Sequence, residues 1–156
     1  MDCYTFNNMK DNSHHTSAKL LGGVSPHRKE VPLFSSRPQA GFPAQGDDHI
    51  ERVLDINDLV VKHPASTFFV RVEGDSMEGV GIFSGDVLVV DRSLTPADGS
   101  IVVAAVYGEM VVKRLLARGG THILASENSK YEPIAVSEND DCFIWGVVVG
   151  SVRIFV

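Results

Sequence analysis

Short runs of Val, Ile and Phe, mixed with polar positions, recur at about residues 67–73, 86–91, 100–107, 110–117, 121–125 and 142–155. Runs of this length, bounded by Gly, Asp and Pro, predict β-strands rather than helices. Tyr107-Gly108-Glu109-Met110 between two of them predicts a tight hairpin turn, with Gly108 supplying a positive φ. One short helix is predicted over Ile56-Asn57-Asp58-Leu59-Val60-Val61-Lys62-His63, closed by Pro64, and the body begins near Ile50. Residues 1–30 are polar, contain Gly22-Gly23 and Ser25-Pro26, and keep neither a 3.6 nor a 2 period, so they read as a flexible tail. Residues 31–49, punctuated by proline and glycine, read as an extended segment crossing the body. There are no internal repeats. The expected architecture is mainly β, compact, with few short helices and an extended N-terminal arm.

Composition narrows this little further. A chain of 156 residues, 44% hydrophobic and 22% charged, holds one domain with a sizeable core plus a tail. No apolar run approaches the roughly 18–20 residues of a membrane span. Asn7, Asn8, Lys10, Asp11, Asn12, His14 and His15 leave no room for the apolar stretch of a secretory signal. Cys3 and Cys142 do not make a disulfide framework, and a reducing cytoplasm is the expected compartment.

Charge says more. Residues 1–40 carry five Lys/Arg and three Asp/Glu, net +2, while residues 41–156 carry nine and seventeen, net −8. So acidic a body is repelled by phosphate backbones, and direct sequence-specific DNA binding is not expected.

The candidate chemistry lies in Gly74-Asp75-Ser76-Met77 and in one lysine within Met110-Val111-Val112-Lys113-Arg114-Leu115-Leu116. Ser76 follows the apolar run Phe68, Phe69, Val70, Val72, where a glycine-flanked strand end can present a hydroxyl. On a strand, period 2 puts Lys113 on one face with Val111 and Leu115. A buried ammonium is costly, so that amine tends to lose its proton. A neutral amine is what an unactivated serine needs beside it. Arg114 is the neighbouring rival, but a guanidinium does not deprotonate near neutral pH.

Other polar residues carry less. His14, His15, His27, His49, His63 and His122 show no ligand spacing, so neither a metal nor another cofactor is expected. His63 with Asp75 would complete a Ser-His-Asp triad around Ser76, but that leaves Lys113 unexplained.

Upstream, Pro38-Gln39-Ala40-Gly41-Phe42-Pro43 places a small-residue Ala-Gly bond in a stretch without a strong element signal. Ala40-Gly41, Gly74-Asp75-Ser76-Met77 and Lys113, with 113 − 76 = 37 positions between serine and lysine, resemble the self-cleaving LexA/UmuD family, peptidase family S24. The resemblance runs from about Val31 to the C-terminus and is nearest the UmuD/MucA/RumA branch. It includes His63-Pro64-Ala65, Gly85-Asp86, Asp98-Gly99, Val112-Lys113, and Asn128 through Tyr131 to Pro133.

The resemblance implies a signal-peptidase-like β fold, with Ser76 and Lys113 as a catalytic dyad and backbone N–H groups near Asp75 and Ser76 as oxyanion donors. It implies self-cleavage between Ala40 and Gly41 that removes the 1–40 arm from a 41–156 domain. It further implies a homodimer, promotion by a RecA filament on single-stranded DNA, and a UmuC-type error-prone polymerase as partner in SOS mutagenesis. The chain departs from that branch in its longer arm, in Ala-Gly where Cys-Gly is common, and in Glu78-Gly79-Val80-Gly81. A self-cleaving phage-type repressor or antirepressor fragment, and a non-enzymatic dimeric module, are the competing expectations.

Overall fold

The computed structural model describes residues 16–24, 30–34, 50–137 and 141–156. Ten strands are described: β1 Ser17–Gly23, β2 Glu30–Phe34, β3 Ile50–Asp55, β4 Thr67–Glu73, β5 Val87–Asp91, β6 Ile101–Val106, β7 Glu109–Arg118, β8 Thr121–Ala125, β9 Ile134–Val136 and β10 Cys142–Val152. Among the described residues one α-helix, α1, covers Ile56–Val60, and a single 3-10 turn covers Glu78–Val80. The main sheet runs β1-β4-β5-β10-β6-β7-β8-β9, and β2 and β3 form a separate pair. Its ladders are antiparallel. The sheet also closes on itself, because Ser17 of β1 pairs with Val111 of β7. The fold is mainly β, as the sequence pattern predicts.

Period 2 sorts the apolar residues into two cores. Val70, Val72, Met77, Leu88, Val90, Val103 and Val112 pack in one. Val102, Ala104, Val106, Val111, Leu115 and Leu124 form the other. Adjacent residues of β6 and β7 therefore face opposite clusters, which explains why these strands read as unbroken apolar runs. Each fully buried Val or Leu contributes about 1.5–3 kcal/mol. The β6–β7 hairpin turns on Tyr107 (φ 49°) and Gly108 (φ 84°), between the paired Val106 and Glu109. Two successive positive φ values match the strand twist of a two-residue hairpin.

Some elements differ from the sequence reading. The helix stops at Val60, because Val61 turns extended and is buried; Asp55 caps the other end by accepting from the Asn57 N–H at 2.8 Å. The last strand stops at Val152, since Arg153 leaves it to grip Asp86, with Nε 2.7 Å from Oδ1 and Nη2 2.5 Å from Oδ2. The region read as an unstructured tail contains β1, and β2, β3 and β9 were also not foreseen. Ser-Ala-Lys-Leu-Leu-Gly-Gly in β1 has no alternation of its own; pairing with β4 from Ser17↔Glu73 to Gly23↔Phe68 gives it extended form. β9 is only three residues long, too short to carry a period.

Candidate active site

β4 ends where Gly74 takes φ 100°, a conformation open to glycine without strain, and the chain turns into Asp75-Ser76-Met77. Met77 is fully buried in the core beside this turn, so its role is packing. A second loop, after β8, fixes the first. The Glu127 N–H donates to the Ser76 carbonyl at 2.8 Å, and the Gly79 N–H donates to the Glu127 carbonyl at 2.8 Å. Asn128 Nδ2 donates to the Asp75 carbonyl at 3.0 Å, and the Tyr131 hydroxyl donates to the Asp75 carboxylate. Burial first, and then that bond, push the Tyr131 phenol up to about 12, so it stays a donor. Approach at Gly79 is so close that a Cβ there would lie 2.3 Å from the Glu127 carbonyl oxygen. The Gly79 departure noted in the sequence thus has a physical role: it docks the serine loop on its support.

Lys113 projects from β7 with 0% exposure, as does Ser76 from its turn. Their polar atoms meet: Lys113 Nζ lies 3.1 Å from Ser76 Oγ and 2.8 Å from Ser126 Oγ. Burial pushes the Lys113 ammonium down to about 8, so about a tenth of the amines are neutral at pH 7. The Tyr131 ring sits with its centroid 5.7 Å from Nζ.

Ser126 was not singled out from the sequence, although a signal for it exists. The β7–β8 hairpin turns on Gly119 and Gly120, both at positive φ, with Arg118↔Thr121 and Arg114↔Ala125 as its first and last pairs. One more step of that register puts Ser126 opposite Lys113.

Thr16 was missed as well, and no local pattern marks it. It is fully buried, and it takes both polar handles of the serine. The Thr16 N–H donates to Ser76 Oγ at 3.1 Å, and the Ser76 N–H donates to Thr16 Oγ1 at 2.8 Å. The Thr16 carbonyl accepts from the Val112 N–H at 3.1 Å. The Ser76 N–H, one of the expected oxyanion donors, therefore points at an oxygen acceptor beside the hydroxyl.

The rival groups are engaged elsewhere. His63 Nδ1 lies 2.5 Å from Asp91 Oδ2, not on Asp75, so the proposed Ser-His-Asp arrangement does not form. The Arg114 guanidinium binds Glu127 and the Gly99 carbonyl. Among the described residues, no three His, Cys, Asp or Glu side chains group so as to hold a metal ion, and no helix is long and apolar enough to cross a membrane. The Ala40-Gly41 bond lies outside the described residues.

The chain as a whole is also similar in sequence to known proteins. Protein MucA of Salmonella typhimurium is 41% identical over 121 residues, 78% of this chain and 83% of that protein. Protein ImpA of the same species is 51% identical over 87 residues, 56% of this chain and 60% of that protein. A LexA repressor from Shewanella woodyi is 38% identical over 115 residues, 73% of this chain and 56% of the repressor. Residues 32–149 match the family described as Peptidase S24-like, and this span holds the serine turn, the lysine strand and the loop that braces them. With most of its length accounted for in this way, the chain belongs to the S24 peptidase-like family.

Proposed function

We propose that this chain is a latent serine endopeptidase whose substrate is its own Ala40-Gly41 bond. The observation that carries the reading is the 3.1 Å approach of Lys113 Nζ to Ser76 Oγ in a site that lowers the lysine to about 8. Neutral Lys113 takes the Ser76 proton as Oγ attacks the Ala40 carbonyl carbon. The oxygen of the tetrahedral intermediate gains negative charge, and the backbone N–H groups of Asp75 and Ser76 are its donors in this reading. As the C–N bond breaks, the Lys113 ammonium gives its proton to the Gly41 amine, leaving an Ala40 ester on Oγ. Lys113 then takes a proton from water, hydroxide attacks the ester, and the proton returns to Oγ. Products are residues 1–40 and 41–156, and the enzyme is restored.

The likeness to MucA, ImpA and a LexA repressor supports a role in SOS mutagenesis. In this reading a RecA filament on single-stranded DNA promotes the cut, and the 41–156 form serves a UmuC-type error-prone polymerase. Apolar side chains left exposed on and after β10, Phe143, Val149, Ile154 and Phe155, suit a homodimer. The net −8 of residues 41–156 argues against a DNA-binding repressor.

Purified protein held at alkaline pH tests the chemistry. Mass spectrometry should find a new C-terminus at Ala40 and a new N-terminus at Gly41, both absent from Ser76→Ala and from Lys113→Ala. Cleavage that survives either substitution would remove the dyad from the mechanism.

A further inference from the structure

The Ser76–Lys113 pair lies at a seam between β4 and β7. β7 pairs with β6 from Glu109 to Arg114, and with β8 only from Arg114 onward. Its Val112 N–H therefore needs another partner, and the Thr16 carbonyl is that partner. β1 is the strand that bridges the seam, on β4 along its length and on β7 at Ser17↔Val111. Addition of an extended chain to an exposed strand edge is a recurrent mode of peptide recognition.

Geometry makes this seat exclusive. For attack, a carbonyl carbon must come to about 3–3.5 Å from Oγ. Its oxygen must also lie about 2.7–3.1 Å from an N–H donor. Thr16 already holds both Ser76 Oγ and the Ser76 N–H. We propose that β1, headed by Thr16, is an internal occupant of this chain's peptide seam and must leave before the 31–49 segment can enter. The proposal rests on the reading of Ala40-Gly41 as the substrate.

The strand is built to be displaced. Apart from Thr16, its side chains are exposed or half-buried, and Leu20 and Leu21 remain 51% and 46% exposed. Only Ala18 among them packs against the core. Lys19 sits opposite Arg71, and like charges directly opposed weaken a strand pair. The register also slips between Leu20 and Gly22, which interrupts the ladder. The occupant is held by backbone bonds and one buried threonine, with little apolar area to lose on leaving.

A reversible lock tests this in the full-length chain. Lys19→Cys with Arg71→Cys, with Cys3→Ser and Cys142→Ser to remove other thiols, should cross-link β1 to β4 at directly paired positions away from Ser76. The oxidised protein should cleave Ala40-Gly41 at least about tenfold more slowly than the reduced one, and Thr16→Ala should cleave severalfold faster than wild type. A binding arm does not depend on catalysis. In the same lock carrying Ser76→Ala, a labelled peptide of residues 34–47 should bind at least tenfold more tightly after reduction. Equal peptide affinity in both redox states, no binding in either, or a new N-terminus at Thr16 would each overturn the proposal. Redox-dependent binding without any cleavage would uphold the occupant and reject only the peptidase reading.

Discussion

Buried charge is handled in two opposite ways in this molecule. Asp91, 2% exposed at the end of β5, accepts from the Ser93 N–H at 2.8 Å, from the hydroxyls of Ser93 and Ser66, and meets His63. Burial works against its charge, but the bonds from Ser93, His63 and Ser66 outweigh it and hold the carboxyl well below the usual range. Asp86, equally buried, is gripped by Arg153. Lys113, at 0% exposure, meets the hydroxyls of Ser76 and Ser126, and burial prevails, driving it toward the neutral form. A structural charge is surrounded until it is stable as an ion. The lysine is left where burial disfavours its ionic form, which suits the base role proposed for it.

Replacing each charge in turn should give opposite outcomes, with the largest effect at the lysine. Lys113→Met is expected to lose at least about 100-fold in cleavage rate, the scale of general-base catalysis. It should nevertheless be more stable at pH 7. The fall from 10.5 to about 8 corresponds to a penalty on the order of 3 kcal/mol at ~1.36 per unit. Ser126 Oγ and Ser76 Oγ each lose the bond from Nζ, although Ser76 Oγ keeps the one from the Thr16 N–H, which leaves a net gain of about 1–2 kcal/mol. The sign follows from linkage: the penalty is full below pH 8 and disappears as pH rises toward 10.5, where the unfolded lysine also deprotonates. Asp91→Ala should do the reverse, keeping cleavage but costing about 2–4 kcal/mol at pH 7. Its folded pKa is depressed, so that cost should shrink as pH falls below the ordinary carboxylate value. Thermal melts across pH, alongside cleavage rates, read both. A destabilised Lys113→Met would make the lysine a structural group like Asp91.

The pH profile sharpens the comparison at a smaller scale. With Lys113 at about 8, the neutral fraction and the cleavage rate should rise about 50-fold from pH 6 to pH 8, then level off. A rate still climbing tenfold per unit at pH 10 would mean that the lysine is an ordinary surface-like amine.

Ser126→Ala should have the smallest effect. Loss of one hydrogen bond to Nζ is about 1 kcal/mol, or about a fivefold slower cut at the alkaline plateau, where the amine is neutral in either case. The protonated amine also loses an acceptor, so the midpoint of the profile should move to lower pH. A slower rate with an unmoved midpoint would assign Ser126 to packing alone.

How far the sequence reaches can be seen residue by residue. The strands from β4 to β7 follow from their own apolar runs, since each buries several Val or Leu side chains. Lys113 was legible because a charge at a period-2 core position conflicts with its surroundings. Ser126 was legible in principle, through the register of a two-glycine hairpin. β1, β2 and β3 were not, because a strand without an alternating face takes its form from the edge it pairs with.

By itself, then, the sequence determined a mainly β body, a serine at a strand end and a lysine in the core, because burial and period are local to each segment. Only tertiary structure decided that Nζ and Oγ stand 3.1 Å apart, that His63 belongs to Asp91, and that Thr16 sits on the serine. Those contacts join residues 37, 28 and 60 positions apart. Closing such distances depends on how separate strands pair, and no short window of sequence encodes that pairing.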